Sequence, residues 1–456
     1  MADLTQGSLH HQIARMASTM LVGMVFQTLY YLVDLYFVAG VGTAAVAAVS
    51  LIGNLMMITV ALTQALTVGA TSLIARAFGS KDFALANRLF NQTQVLAVLT
   101  GAVFVTVLML GRHAFAERFA ADAETAAAAV AYLNWFVPAL GLQFLIVAMA
   151  AALRGAGEVK GPMLVQVVSL IMNTVLAPVL IAGWGTGKPM GVAGAGLATF
   201  LSVLFAGLLL LVFVRKRHDV LDFNWAHSIP DWALWRKLLS IGLPSGAEFL
   251  LISVYSLVIY YLIRDFGAHA QAGFGLGMRI MQAGFLPALA VAFSVGPIAG
   301  QNFGAGKLER VRATFKAGAL WVSILMLLFV LACHVLPDSL FTPFSQDPAV
   351  ITVGAGMLAV LSYNFVAAGL ILVVGGMFQA LGNTVPSMLA SASRLILFVG
   401  PAVWMVGQSW FRLTHLWWLS VGTQLIQLFI ALLLLRREFR RRLVPPGSGA
   451  TAMPSV

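Results

Sequence analysis

A single carboxylate, Asp34, lies in the first apolar stretch, residues 16–38, which is otherwise uncharged. A charge at the centre of a membrane helix costs about 2.5–3.5 kcal/mol on insertion scales, so a retained carboxylate reads first as functional. At helical spacing Tyr31, Tyr30 and Gln27 fall on its face, a polar stripe expected to look inward onto a cavity. Desolvation favours the neutral form of an acid, so a proton could be taken up and released there near neutral pH. Neutralisation would also remove a charge that attracts a cation. The plainer alternative is a structural carboxylate fixed by tyrosine or threonine hydroxyls.

Other polar groups sit in apolar runs. Gln166, Ser169 and Asn173 follow helical spacing in residues 163–183, and Asn173 is a candidate partner of Asp34. Glu248 is the second intramembrane acid, with Ser245 and Tyr255 on its face. Arg394 lies about as deep as Glu248, so an ion pair between them is the plain structural expectation. Arg279 lies roughly 10 Å further out at about 1.5 Å per residue and could reach Glu248 only through a bend or a water. Tyr30, Tyr31, Phe26 and Met24, together with Tyr255 and Met278, are candidates for an adaptable aromatic and sulfur-lined substrate cleft. With 19 Met and 30 Phe in the chain, each of these residues has lipid-facing packing as its alternative.

The elements that must carry these groups are membrane spans. Of the 456 residues 60% are hydrophobic and 9% charged, which excludes an ordinary soluble domain. Twelve apolar runs are present, at 16–38, 44–70, 90–111, 128–151, 163–183, 190–214, 238–262, 272–298, 315–336, 351–378, 386–406 and 415–435. Each is near the roughly 20 residues a helix needs to cross the hydrocarbon core. The first run is too long for a signal-peptide core and is expected to be retained. The net charge of +11 does not point to nucleic acid, because the basic residues follow a membrane rule. With a cytoplasmic N-terminus, 20 of the 27 Lys and Arg fall in inner loops, tails and helix ends, the positive-inside bias of a multi-pass protein with both termini cytoplasmic. The lone Cys333 excludes an intrachain disulfide.

The chain repeats itself at an offset of 225 residues. Gly42 and Gly79 match Gly267 and Gly304, Gly157 matches Gly382, and Pro162 matches Pro386 with a one-residue slip. The fold expected is therefore all-α and polytopic, with twelve transmembrane helices in two pseudo-symmetric six-helix bundles around a central cleft. The expected parts are a bundle at 1–214, a cytoplasmic linker at 215–237, a second bundle at 238–436 and a basic tail at 437–456. An even number of spans makes the repeats parallel, a plan suited to alternating access. The linker's Trp225, Trp232 and Trp235 read as an interfacial amphipathic piece.

Several stretches carry a family resemblance: Asp34 in VDLYFVAGVGTAAVAAVSL, the loops RAFGSKD and RGAGEVKGP, Asn173 in NTVLAPVLI followed by GVAGAGLATFLS, and IGLPSGAE in the seventh run. Together they resemble the multidrug and toxic compound extrusion (MATE) family of the multidrug, oligosaccharidyl-lipid and polysaccharide exporter superfamily, over about residues 12 to 436. The resemblance implies that Asn173 helps shape an acidic site in the first bundle. It also implies a second acid one turn later, where this chain has Ala177 before Pro178. Relatives with a bending first helix are similar in carrying a proline near Thr19, which cannot kink a helix as proline does. In sodium-coupled relatives the position of Glu248 belongs to a cation site with an acid near Ala368. The missing acid tips the expectation towards protons and away from Na⁺, which wants several oxygens.

The function expected is a proton-coupled multidrug efflux antiporter for lipophilic, often cationic, organic compounds, with Asp34 as the coupling carboxylate and Asn173 and Glu248 as further coupling candidates. The cleft candidates are Gln27, Tyr30, Tyr31, Tyr255, Met278, Arg279 and Arg394. No enzyme signature, metal site or cofactor is expected, and the energy source is the H⁺ gradient. The partners are small organic substrates and the lipid bilayer, not nucleic acid, for a monomer in the cell inner membrane. The alternatives are a sodium-coupled antiporter using Glu248, and a lipid-linked saccharide flippase, which needs a strongly cationic cleft where only Arg279 and Arg394 are available. A membrane-embedded transferase would need an acid cluster that is absent from the sequence, and a channel would lack strict countertransport.

Overall fold

The computed structural model describes residues 3–216 and 221–443, apart from the side chains of Tyr31, Leu35 and Asn54. The described residues are helical throughout, without a strand. The helices are α1 (Leu9–Ala39), α2 (Thr43–Gly79), α3 (Phe83–Phe119), α4 (Ala123–Gly155), α5 (Lys160–Ile181), α6 (Gly191–Lys216), α7 (Trp232–Ile263), α8 (Ala268–Gly304), α9 (Leu308–Val335), α10 (Pro348–Leu361), α11 (Phe365–Leu381), α12 (Val385–Val406) and α13 (Leu413–Arg442). A 3₁₀ turn at Ser362–Asn364 joins α10 and α11 into one span. Among the described residues twelve helices are long and apolar enough to cross a membrane, as the apolar runs predict. Several overrun their runs, α3 by a turn or more at each end. Water-facing ends of a membrane helix tolerate polar residues, so hydropathy alone underestimates its length.

The repeat extends to helix bounds. α2 and α8 both span 37 residues and begin 225 residues apart, and α5 and α12 both span 22 residues at the same offset. Even backbone exceptions coincide: Lys81 (φ 59°) matches Gly306 (φ 70°), and Gly157 (φ 80°) matches Gly382 (φ 70°). All four sit in the left-handed region that glycine enters without penalty.

The chain forms two compact units, one of residues 19–246 and one of residues 3–18 with 247 onward. The packing boundary thus falls inside α1 and α7, not at the linker where the polar sequence suggests it. In the first unit, Leu238, Gly242 and Gly246 of α7 pass Gly69, Ala65 and Ala61 of α2 in antiparallel register. A Cβ on Gly246 would stand 2.6 Å from the Ala61 carbonyl oxygen, and the approach is closer still at Gly242 to Ala65 and at Gly69 to Leu238. Small residues at four-residue spacing allow such backbone contact. The linker is tied to the same unit: Gln92 of α3 donates to the carbonyls of His227 (2.6 Å) and Ile229 (2.7 Å), and Arg88 pairs with Asp231 at 2.6 Å. Of its tryptophans, Trp225 and Trp232 are exposed as an interfacial piece requires, whereas Trp235 is buried.

In the second unit, the start of the chain is fastened near the α8–α9 turn. The Leu4 amide donates to Gln301 Oε1 at 3.0 Å, Asn302 Nδ2 donates to the Leu4 carbonyl at 3.1 Å, and Lys307 donates to the Thr5 carbonyl at 2.8 Å. Cys333 is free and buried.

Among the loops, Asp122 caps α4 by accepting from the Thr125 amide at 2.7 Å. The hydrogen bonds from the Thr125 backbone, and then from its side chain, hold the Asp122 carboxyl below the usual carboxylate range. A lowered folded-state pKa means that the cap's contribution is complete above the unfolded value and is lost as pH falls through the folded one. Amide protection in the first turn of α4, taken relative to the intrinsic exchange rate at each pH, should therefore be high at neutral pH, fall in acid, and lose this pH dependence in Asp122→Ala.

Candidate functional site

The first unit's site is built on the register of α1 against α5. Gly23 packs against Gln166, where a Cβ would overlap Oε1, and Asn173 Nδ2 donates to the Tyr30 hydroxyl at 3.1 Å. Both pairs are 143 residues apart, so the two helices run in the same direction in fixed register. That register brings Ala177, fully buried, to the level of Asp34. The place where the resemblance implies a second acid is thus occupied by a methyl group.

Asp34 is only 8% exposed and hydrogen bonds with the side chain of Tyr132 on α4. Among the described residues its Oδ1 is buried without a hydrogen-bond partner, and so is Oδ1 of Asn173, a residue with no exposed surface. The expected hydrogen bond between Asp34 and Asn173 is not formed: the Asn173 amide is spent on Tyr30, one turn before Asp34. Around Asp34 and Asn173 the described residues thus leave two orphaned oxygens beside two tyrosines, an arrangement short of donors. A buried acceptor left unpaired costs about 1–3 kcal/mol, so a proton, a water or a cation would be favoured there. Gln27, expected on the same face, is exposed and without a partner among the described residues. The Tyr31 side chain lies outside the described residues.

In the second unit the repeat-equivalent register holds α7 against α12. Ser391 donates to Glu248 Oε1 at 2.8 Å and Ser387 to Oε2 at 3.0 Å, while Gln427 Nε2 of α13 donates to Ser391 at 3.1 Å. Two turns further along α7, the Tyr255 ring meets Phe398 at 4.7 Å and carries the Arg394 guanidinium at 4.2 Å from its centroid. The expected Glu248–Arg394 ion pair is therefore absent. The serines satisfy Glu248, and Arg394, one turn beyond Ser391, turns onto Tyr255 instead. Arg279 pairs with no acid among the described residues either and is exposed on α8 beside half-buried Met278. Ala368 of α11 offers no ligand, and no group of three His, Cys, Asp or Glu gathers among the described residues.

The two acids are not repeat equivalents. At the 225-residue offset Glu248 corresponds to Gly23, and Asp34 to the buried Ile259. Asp34 lies eleven residues further along its helix than Gly23, about 16 Å at 1.5 Å per residue. The Asp34 partner Tyr132, the Glu248 partners Ser387 and Ser391, and Gln427 behind Ser391 were not foreseen as site residues. Only the stripe Ser387, Ser391, Arg394 at helical spacing was a readable signal for any of them.

Comparison with known proteins agrees with this plan. The MatE family model matches residues 20–179 and again 244–404, once in each repeat. The multidrug export protein MepA of Staphylococcus haemolyticus is 22% identical over 435 residues, covering 94% of this chain and 93% of that protein. The probable multidrug resistance protein NorM of Thermotoga maritima is 26% identical over 370 residues, 80% of this chain and 78% of that protein. Among solved structures, an outward-facing multidrug resistance MATE family transporter of the MOP superfamily superposes with a TM-score of 0.88 at 24% identity, covering 96% of this chain and 97% of that one.

Proposed function

The chain belongs to the MatE family, whose members are transporters and not enzymes, and from that premise we propose that it is a proton-coupled antiporter that exports lipophilic, often cationic, organic compounds by alternating access. The carrying observation is the Asp34 carboxylate, buried in a membrane span, hydrogen-bonded to Tyr132, and left with an oxygen that has no partner among the described residues. A carboxylate so poor in donors gains most from binding a proton, and once neutral it no longer attracts a cation. Release of the proton restores the charge and, with it, the affinity for a cationic substrate. Tyr132 orients the group, and Asn173 offers an acceptor oxygen in the same unit.

Sodium coupling through Glu248 is the less favoured reading. Both oxygens of that carboxylate already accept from serine hydroxyls, and Ala368 leaves the second acid of such a site missing. A hard cation wants several free oxygens. The distribution of basic residues supports an inner-membrane protein with both termini cytoplasmic, and it is taken to act as a monomer.

The test is reconstitution in liposomes, with movement of an ethidium-like dye followed under an imposed pH gradient or an imposed Na⁺ gradient. A pH gradient alone should drive exchange in sodium-free buffer. Exchange that runs only with Na⁺ would reverse the ion assignment.

A further inference from the structure

The coupling site leaves a second constellation unused, in the middle of the second unit's spans. Arg394 sits near the centre of α12, its guanidinium 4.2 Å from the Tyr255 ring centroid. Its Nε is buried without a hydrogen-bond partner, and it forms no ion pair among the described residues. A guanidinium keeps its charge at any physiological pH and presents five donors. In a membrane span such a cation is paired or faces water. The cation–π contact with Tyr255 satisfies the flat face and leaves the donor edge unused.

The surroundings hold that ring in place. The Tyr255 hydroxyl lies 2.8 Å from Ser420 Oγ, which also accepts from Asn364 Nδ2 at 3.3 Å. Asn364 closes the 3₁₀ turn that interrupts the tenth span, and interrupted helices in transporters are characteristic of binding sites. The one acid close in sequence register, Glu248, is engaged by Ser387 and Ser391. A second arginine, Arg279, is exposed on α8 with Gln282 one turn on, and neither has a partner among the described residues. The buried acid of these spans is thus engaged by hydroxyls, and the Arg394 guanidinium is left without a counter-charge among the described residues.

We propose that the second unit is an anion-recognition site, in which Arg394, backed by Tyr255, takes a carboxylate of the exported compound. This rests on the export reading and narrows its substrate class: compounds that carry an acidic as well as a basic group are preferred over plain cations. Arginine suits the task because its planar fork can bind a carboxylate through two parallel hydrogen bonds.

The experiment is equilibrium binding to purified protein in nanodiscs without any gradient, using a rhodamine with a free carboxylate and its methyl ester. Arg394→Gln should weaken the free acid by about 10- to 100-fold, the range of a charge-assisted hydrogen bond, and leave the ester within about twofold. Arg394→Lys, which keeps the charge without the planar fork, should lose an intermediate factor on the acid alone, and it carries the test if the Gln variant does not fold. Equal losses for both probes, or undiminished binding of the acid, would overturn the proposal. Chloride exchanged for gluconate should not shift the acid's affinity. A chloride-dependent loss that disappears in Arg394→Gln would make an inorganic anion the occupant and overturn the substrate assignment. Because no gradient enters this measurement, its failure is separate from a failure of proton coupling.

Discussion

Asp34→Asn should abolish gradient-driven exchange, bringing dye movement in proteoliposomes down to that of protein-free vesicles, while the purified variant keeps its Tm. The substitution is nearly isosteric and leaves an oxygen to hydrogen bond with Tyr132, so the α1–α4 contact survives. It removes the one group of that site able to gain and lose a proton. Stability should not fall, since a buried charge is costly and its removal relieves desolvation. Transport at the wild-type rate would reject the coupling role, and a collapsed Tm would mark the carboxylate as structural. Glu248→Gln should do less: the amide oxygen still accepts from Ser391, and the second acceptor is the principal loss.

The second large effect concerns packing. At Gly242 a Cβ would run into the Ala65 carbonyl oxygen, and the obstacle is backbone, which cannot swing aside. Gly242→Leu should destabilise the first unit by about 3 kcal/mol or more, the upper range of overpacking, read as a Tm lower by roughly 5–10 °C. Gly53→Ala on α2 is the control, because a Cβ there meets nothing within 4 Å, and it should be neutral or slightly stabilising. Equal melting of the two variants would show that α2 and α7 are not held by this seam.

Much of the fold is readable in the residues because the bilayer imposes a length and a polarity on each span, and the repeat of Gly42, Gly79 and Gly157 in Gly267, Gly304 and Gly382 recurs in helix bounds and turn geometry. The interrupted tenth span is not readable: Ser362, Tyr363 and Asn364 include neither proline nor glycine. In the site, Asp34, Asn173 and Glu248 stand out as polar residues in apolar runs, but their partners do not. Pairing depends on how one helix is rotated against the next. Equal depth suggested Glu248 with Arg394, whereas rotation gives Glu248 to Ser387 and Ser391 and Arg394 to Tyr255. Likewise Gln27 and Asp34 share a face by spacing, yet one is exposed and the other buried.

The packing boundary inside α1 and α7 bears on ancestry. A fragment cut at the linker would keep α2 but lose the glycine seam that covers it, and the complementary fragment would keep Gln301 and Asn302 without the opening residues they bind. Neither repeat is thus a self-sufficient piece. Two separate ancestral copies, before fusion, would each have had to lend the other its opening turns, as domain-swapped subunits do.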